Sequence, residues 1–261
     1  MHIPKTAGTS FRRFLERSVR ERGGSVTALA RDGIWSEESE SYPSYDEFVA
    51  SGGASGRDRD LVCGHYPYHV TALLPPETAV VTILRDPLAR CLSHVKHQIS
   101  LERQLERPCE RDVNEFLAAP RNEMFLQTIG NLAVKFLSSD AHPDAVVSRD
   151  DLSLDLAVER CCRSHVGFAH ELPAFQQRLA VDVFGAPASD FALPRMNEST
   201  DPFAASDLTS RNRELLCDLN ELDLTLQEHI ERIAEARSGR GFKPVLGFAE
   251  RSGGRVYLPS G

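Results

Sequence analysis

The feature that most constrains the fold is the segment at residues 79–99, which reads AVVTILRDPLARCLSHVKHQI. Its opening run of apolar and β-branched side chains, residues 79–84, predicts a buried parallel strand. Asp86 can cap the helix that follows, and Pro87 suits its first position. A stripe at helical spacing supports that helix and comprises Leu88, Cys91, Leu92, Val95 and Ile99. A strand that passes at once into an amphipathic helix is typical of α/β proteins.

The rest of the chain repeats these two elements. Apolar runs at 61–63 and 165–169 predict further strands, and residues 31–60 predict a long loop with one short helix. Helices are predicted at 11–20, 45–50, 113–119, 123–137, 153–162, 172–183 and 207–236. At 261 residues the chain suits one α/β domain, which we expect at 1–240, helix-rich in its C-terminal half and followed by a Gly-rich tail at 241–261.

The first ten residues, MHIPKTAGTS, predict an anion-binding turn that opens a helix. A helix start leaves backbone N–H groups without intrahelical partners at the positive end of the helix dipole. A lysine, a close-approach glycine and several hydroxyls add to that site. The residues concerned are Lys5, Thr6, Ala7, Gly8, Thr9 and Ser10. The plainer interpretation is a capped helix start without a ligand.

This turn does not follow the commonest nucleotide-binding pattern. In GxxxxGK[ST] the lysine follows the second glycine, whereas Lys5 precedes Gly8 by three residues. The turn is therefore not a Walker loop.

His65 lies just after the predicted strand at 61–63 and after Gly64. In open α/β sheets, ligands bind at the carboxyl ends of the strands. A neutral imidazole there could remove a proton from a hydroxyl near pH 7. Alternatively, His65 is a structural histidine held by a neighbouring tyrosine, Tyr66 or Tyr68. His69 is a weaker candidate for the same role, because it lies further into the loop.

Arg85 follows the strand at 79–84, and Ser93 lies eight residues later on the predicted helix. A planar guanidinium binds phosphate through paired hydrogen bonds, and a nearby hydroxyl can complete the shell. The alternative is an ordinary ion pair between Arg85 and Asp86 at a helix start.

Together these motifs resemble a known family. The order PKTxGTS, Gly-His after a strand, and RDPxxRxxS is similar to sulfotransferases that use 3′-phosphoadenosine 5′-phosphosulfate (PAPS). The similarity is greatest to the carbohydrate branch of the heparan sulfate 2-O and 6-O type. The resemblance implies a P-loop-like, three-layer fold in which helices flank a central, mainly parallel sheet.

The resemblance also implies roles for individual residues. Residues 5–10 would bind the 5′-phosphosulfate, with Lys5 also stabilising the leaving group, and Arg85 and Ser93 would bind the 3′-phosphate. His65 would be the catalytic base, and the acceptor would be a hydroxyl, with a carbohydrate such as a glycan or glycolipid favoured. A loop at 186–206 would cover the cofactor through Asn197, Ser199 and Thr200, for which a capping and turn cluster is the alternative interpretation.

One departure from the family concerns the start of the chain. Relatives carry a full apolar strand before the HIPKT turn, whereas only residues 1–3 precede it here. The expectation is either a truncated start or a very short first strand.

The composition limits the kinds of binding partner and the cellular compartment that we expect for the protein. A formal net charge of −8 weighs against nucleic acid or a membrane surface as the main partner, although it allows a local cationic site. No apolar run approaches the roughly 20 residues needed to span a bilayer. Six cysteines without a CxxC pair favour reduced thiols and a cytoplasmic protein. No ligand spacing predicts a metal site.

Two other functions remain open at this point. A nucleotide kinase of related fold would need ATP and Mg²⁺, which the position of Lys5 and the lack of an evident Walker-type aspartate disfavour. A non-catalytic nucleotide-binding module would keep the anion-binding turn without a base.

Overall fold

The computed structural model describes residues 1, 3–6, 8–29, 44–108, 112–185 and 203–238. Within them, the strands form two parallel pairs. The first pair joins β1 (Val26–Leu29) to β2 (Leu61–Gly64), and the second joins β3 (Val81–Leu84) to β4 (His165–Phe168). The strands predicted at 61–63, 79–84 and 165–169 are thus confirmed, and β1 is an additional strand that sequence analysis did not predict.

The amino terminus lies beside both strand pairs. The amino group of Met1 donates a hydrogen bond of 2.8 Å to the carbonyl oxygen of Val81 on β3. Burial lowers the pKa of this amino group well below its usual range, and the nearby Cys63 of β2 opposes the shift. Ile3 is fully buried. Residues 1 and 3 therefore lie in the core, in the same apolar cluster as Leu84 of β3.

The described part of the chain is otherwise mostly helical. In chain order its helices are α1 (Gly8–Arg20), α2 (Tyr45–Ala50), α3 (Ala54–Arg57), α4 (Pro87–Gln104), α5 (Val113–Ala118), α6 (Glu123–Ile129), α7 (Leu132–Ser138), α8 (Leu154–Cys162), α9 (Leu172–Asp182), α10 (Ser210–Leu219) and α11 (Glu221–Ser238). Side chains cap several of them: Asp86 accepts from the Ala89 N–H at 2.7 Å, as the sequence predicts, and Asp112 accepts from the Glu115 N–H at 3.0 Å.

Successive side chains of a strand point to opposite sides, so each strand has two faces that can be buried. Helices cover both of these faces. On one face, α1 and α9 pack on Leu61 and Ile83, with the rings of Phe11 and Phe175 stacked at 5.6 Å. On the other face, α7, α8 and α11 pack around Leu84 and Phe168. The described residues therefore form a helix-rich, mixed structure with a small amount of parallel sheet, in two strand pairs.

Two of the predicted helices are each divided in two. The helix predicted at 123–137 breaks between α6 and α7, where Gly130 lies so close to α10 that a Cβ would approach the Leu219 carbonyl oxygen to 2.9 Å. The helix predicted at 207–236 breaks at the fully buried Asn220. Both breaks let polar groups of one helix reach the backbone of another.

The two breaks are joined by reciprocal capping. The side-chain oxygen of Asn131, which has a left-handed φ of 44°, accepts from the N–H groups of Leu222 (2.9 Å) and Asp223 (3.2 Å) at the start of α11. In return, the carboxylate of Asp223 accepts from the N–H groups of Ala133 (3.0 Å) and Val134 (2.8 Å) at the start of α7. Each helix thus satisfies the free donors of the other.

Arg90 connects this pair of helices to α4. Its side chain is 1% exposed, and its Nη2 donates to the Asn220 amide oxygen at 2.7 Å, to the Ile129 carbonyl oxygen at 2.9 Å and to the Asp223 carboxylate at 3.3 Å. A buried charge is tolerated only when it is paired and hydrogen-bonded. Arg90 therefore sets how α4 sits against α7 and α11.

Other sequence predictions concern the tail, the thiols and the membrane. The tail predicted at 241–261 lies outside the described residues, so the single domain at 1–240 stays a prediction. The described cysteines, Cys63, Cys91, Cys161, Cys162 and Cys217, are free thiols. Among the described helices, none combines the length and the apolar character needed to cross a membrane.

Candidate functional site

The amino-terminal turn has the shape of a loop that enters a helix. Lys5 has a left-handed φ of 68°, which turns the chain sharply before α1 begins at Gly8. Thr6 is 1% exposed, and its hydroxyl donates to the Ile3 carbonyl oxygen at 2.8 Å. That hydroxyl therefore braces the turn from inside, and the first turn of α1 contains no acidic residue that would repel an anion.

The other residues predicted for this turn are described only in part. Gly8, Thr9 and Ser10 form the first turn of α1, but the side chains of Thr9 and Ser10 are outside the description, and so is all of Ala7. The backbone of the helix start is thus in the predicted position.

Arg85 meets this turn directly. It follows β3, and its Nη1 donates to the carbonyl oxygen of Lys5 at 2.9 Å, although the two residues are 80 positions apart. Asp86, the partner in the alternative interpretation, uses its carboxylate to cap α4. The structure therefore brings the two predicted anion-binding motifs into contact.

The electrostatics of this corner favour an anion. Burial lowers the pKa of Lys5, and the positive charge of Arg85 lowers it further. Burial also lowers the pKa of Arg85, with Arg90 adding to the shift and Asp86 opposing it. Cations that are desolvated and close together become more stable when a negative charge arrives between them.

Two histidines of α4 interact electrostatically with Lys5, and His65 interacts with one of them. His65 follows β2, as predicted, and is half-buried. His94 and His97 lie on α4, and the charge of Lys5 lowers the pKa of both, after the larger effect of burial. The pKa of His94 falls to about 2, with Arg90, Lys5, His65 and His97 all contributing after burial. His94 is therefore neutral at any pH at which the protein would work.

His94 and His97 were not predicted as site residues. Arg90, His94 and His97 are separated by four and three residues, so they share one face of α4. That spacing was visible in the sequence, but only the electrostatic effect of Lys5 on the two imidazoles links them to the anion-binding turn. Ser93, the predicted phosphate ligand, lies beside His94 on α4 and is half-buried.

His69, the weaker candidate for a base, belongs to a separate cluster. Its Nε2 lies 3.2 Å from the Tyr45 hydroxyl, and its Nδ1 lies 3.5 Å from the carboxylate of Asp140. It is thus held by α2 and by the segment after α7.

The predicted covering loop lies largely outside the description, including Asn197, Ser199 and Thr200. The chain is described again from Phe203, whose carbonyl oxygen accepts from Lys96 Nζ at 2.5 Å. This bond fixes Phe203 to α4, the helix that also carries Ser93 and His94.

No family model matches the sequence, and no curated protein matches it significantly. Within the ranges that the structure describes, no group of three or more His, Cys, Asp or Glu side chains is arranged to hold a metal ion. The residues around Lys5 and Arg85 are therefore the basis on which a function can be assigned.

Proposed function

We propose that the protein is a PAPS-dependent sulfotransferase that moves a sulfuryl group to a hydroxyl acceptor. The observation that carries this proposal is the hydrogen bond from Arg85 Nη1 to the Lys5 carbonyl oxygen. The 5′- and 3′-phosphates of PAPS are attached to the same ribose. Motifs that bind one phosphate each must therefore lie next to one another, as these do.

The residues at this corner suit such a nucleotide. The backbone N–H groups at the start of α1 and the ammonium of Lys5 would hold the 5′-phosphosulfate. Arg85 has further N–H groups besides the one that binds Lys5, and these, with the Ser93 hydroxyl, would hold the 3′-phosphate. The buried amino-terminal residues, with Met1 bonded to Val81 of β3, support the P-loop-like, three-layer fold that the resemblance implies.

His65 would act as the general base. It follows β2, and it is close enough to His94 to lower the pKa of that imidazole. PAPS supplies an activated sulfuryl group when it is bound. The unprotonated imidazole of His65 would accept the proton of the acceptor hydroxyl as its oxygen attacks sulfur. Lys5 would offset the negative charge that develops on the departing phosphate oxygen, and this reaction needs no metal.

A carbohydrate is the acceptor class that the resemblance favours. The net charge of −8 makes a highly sulfated polymer a less favourable acceptor than a neutral or weakly charged glycan, a glycolipid or a small metabolite. The cationic corner itself would be occupied by the nucleotide.

The two alternative functions differ in what they bind or produce. A nucleotide kinase would bind ATP as well as 3′,5′-ADP in a thermal-shift assay. A non-catalytic module would bind 3′,5′-ADP but would transfer nothing.

The direct test uses PAPS that carries a sulfur label and a panel of hydroxyl acceptors. We expect the wild-type protein to transfer the label to at least one glycan, glycolipid or small hydroxyl compound. The Lys5→Ala variant should transfer about 10²-fold less. Binding of 3′,5′-ADP without label transfer to any acceptor would favour the binding module instead.

A further inference from the structure

A second group of polar side chains lies outside the candidate site, where α2, the 3₁₀ helix Tyr68–Leu73 and the segment after α7 meet. The Tyr45 hydroxyl lies 3.2 Å from His69 Nε2, and His69 Nδ1 lies 3.5 Å from a carboxylate oxygen of Asp140. The Tyr45 ring packs on the apolar cluster that contains the fully buried Phe48. Three elements therefore place a hydroxyl, an imidazole and a carboxylate in succession.

The proton positions in this group follow from the neighbours of His69. Its Nδ1 is sealed from solvent, and the carboxylate beside it can only accept, so the proton of the neutral imidazole lies on Nδ1. Nε2 is then an acceptor, and the Tyr45 hydroxyl donates to it. The distance of 3.5 Å is that of an ion-pair contact and not of a hydrogen bond, so Asp140 acts on His69 through its charge. A base that is oriented by a third group and lies within reach of a hydroxyl is the arrangement that activates nucleophiles.

The hydroxyl of Tyr45 stays protonated in the resting protein. Burial raises its pKa, and the charges of Asp46 and Asp140 raise it further. A phenolate therefore does not form in advance, and Tyr45 can act as a nucleophile only if its proton leaves during the attack. His69 Nε2 is the atom placed to accept that proton.

The charges around Tyr45 select the kind of reagent that it could attack. The ring of His142 lies edge-on to that of Tyr45, with centroids 5.1 Å apart. His142 brings two carboxylates to the group, because Asp46 lies 3.9 Å from its Nε2 and Asp144 lies 4.0 Å from its Nδ1. Asp140 adds a third. These carboxylates repel a phosphate or sulfate ester, whereas they do not oppose a neutral carbonyl compound.

We propose that Tyr45 is a nucleophilic acyl-acceptor site for neutral activated esters, with His69 as its general base. Tyr45 Oη forms a bond to the carbonyl carbon, and the bond from that carbon to the leaving-group oxygen breaks. The phenol proton passes to His69 Nε2 and from there to the departing oxygen. The product is an ester of a phenol, so the leaving group must be at least as good as a phenol, and aryl esters meet this requirement. The inference is independent of the proposed function, because it uses no residue of that site.

The test uses p-nitrophenyl acetate, a neutral aryl ester, with the full chain. Mass spectrometry of proteolytic peptides measures the rate at which each tyrosine is acetylated. Tyr68 is an internal reference, because it is also half-buried but faces the Arg160 guanidinium, 4.9 Å from its ring, and the Ser164 side chain instead of an imidazole. We expect acetylation of Tyr45 to be about 10²-fold faster than that of Tyr68, the size of effect that a positioned base produces.

Two variants and a second reagent identify the groups involved. Tyr45→Phe keeps the ring and its packing, and it should lose the fast phase of nitrophenol release. His69→Gln keeps a hydrogen-bond acceptor for Tyr45 without a base, so acetylation of Tyr45 should fall by about 10² or more. p-Nitrophenyl sulfate has the same leaving group but carries a negative charge, and it should not modify Tyr45.

Equal rates at Tyr45 and Tyr68 in the wild-type protein would overturn the inference, and this comparison does not require any variant to fold. An unchanged rate in His69→Gln would contradict the role of the base, and sulfation of Tyr45 would contradict the class of reagent. Label transfer from PAPS to an external acceptor tests the proposed function separately, and Tyr45→Phe should leave that transfer unchanged.

Discussion

The Nη1 of Arg85 donates to the Lys5 carbonyl oxygen at 2.9 Å, and this bond holds a lysine in a left-handed conformation with φ of 68°. That conformation costs a residue with a side chain about 1 kcal/mol or more. Arg85 therefore has two consequences for the candidate site. It stabilises the shape of the amino-terminal turn, and it leaves other guanidinium N–H groups available to an anion.

Replacement of Arg85 should separate these two effects. We expect Arg85→Ala to weaken binding of 3′,5′-ADP by about tenfold or more, and Arg85→Lys to restore little, because an ammonium cannot form paired hydrogen bonds. Calorimetric titration with 3′,5′-ADP and 5′-AMP distinguishes the roles. A larger loss for 3′,5′-ADP indicates contact with the 3′-phosphate, whereas equal losses would show that Arg85 acts only on the turn.

Lys5 is predicted to act mainly during transfer. Lys5→Ala should lower turnover by about 10² or more, because one preorganised donor to the transition state is lost. The rate of label transfer from PAPS measures this. Arg17→Ala is the matched control, since Arg17 is exposed on α1 and pairs with Glu21 at 2.6 Å. Turnover that survives the loss of Lys5 would refute its assigned role.

His65 and His69 form a matched pair for testing the base. His65→Ala should suppress transfer while leaving the affinity for 3′,5′-ADP nearly unchanged, since a base contributes to chemistry and not to nucleotide binding. His69→Ala should alter neither, because His69 is held by Tyr45 and Asp140. If His65→Ala reduced binding and transfer equally, His65 would be structural.

Asp223 should be more important for stability than Glu221, an exposed residue two positions earlier on α11. The Asp223→Ala substitution leaves Arg90 buried without the carboxylate that pairs with it. It also removes the acceptor of two N–H groups of α7. We therefore expect a loss of about 3–5 kcal/mol in the free energy of unfolding. Glu221→Ala removes only an exposed ion pair with Arg149 and should cost at most about 1 kcal/mol. Urea denaturation compares the two, and similar losses would contradict the role of Asp223.

His94 should make stability depend on pH. Its folded pKa of about 2 lies below the unfolded value of 6.5, so only the unfolded state takes up this proton as pH falls below 6.5. The free energy of unfolding therefore falls as the pH is lowered, and His94 accounts for at most about 2 kcal/mol of this loss between pH 6.5 and about pH 5. Denaturation at several pH values should show a weaker dependence in His94→Gln. The same slope in both proteins would mean that His94 is charged in the folded state.

Local signals in the sequence were sufficient for most elements of the described fold. The unbroken run before Arg85 and the alternation of caps and stripes predicted β3, α4, α5 and α8 within a few residues. The breaks at Gly130 and Asn220 were not predicted, because their cause is a contact between distant segments and not a local preference. The strand β1 was missed because its partner, β2, lies about 35 residues away and its run is only four residues long.

The residues of the candidate site likewise divide into those that the sequence could predict and those that it could not. His65 and Arg85 could be selected because each follows a short strand at a position where α/β proteins bind ligands, and Lys5 because it lies in a small-residue turn that opens a helix. His94 and His97 could not, since only their proximity to Lys5 distinguishes them from other residues on a helix surface.

The central claim is that the turn at Lys5 and the pair Arg85 and Ser93 hold two phosphates of one nucleotide. A crystal structure with 3′,5′-ADP tests it most directly. The account predicts the 5′-phosphate at Lys5 and the start of α1, with the 3′-phosphate within hydrogen-bond distance of Arg85 and Ser93. A nucleotide bound elsewhere, or bound with neither phosphate at this corner, would contradict it.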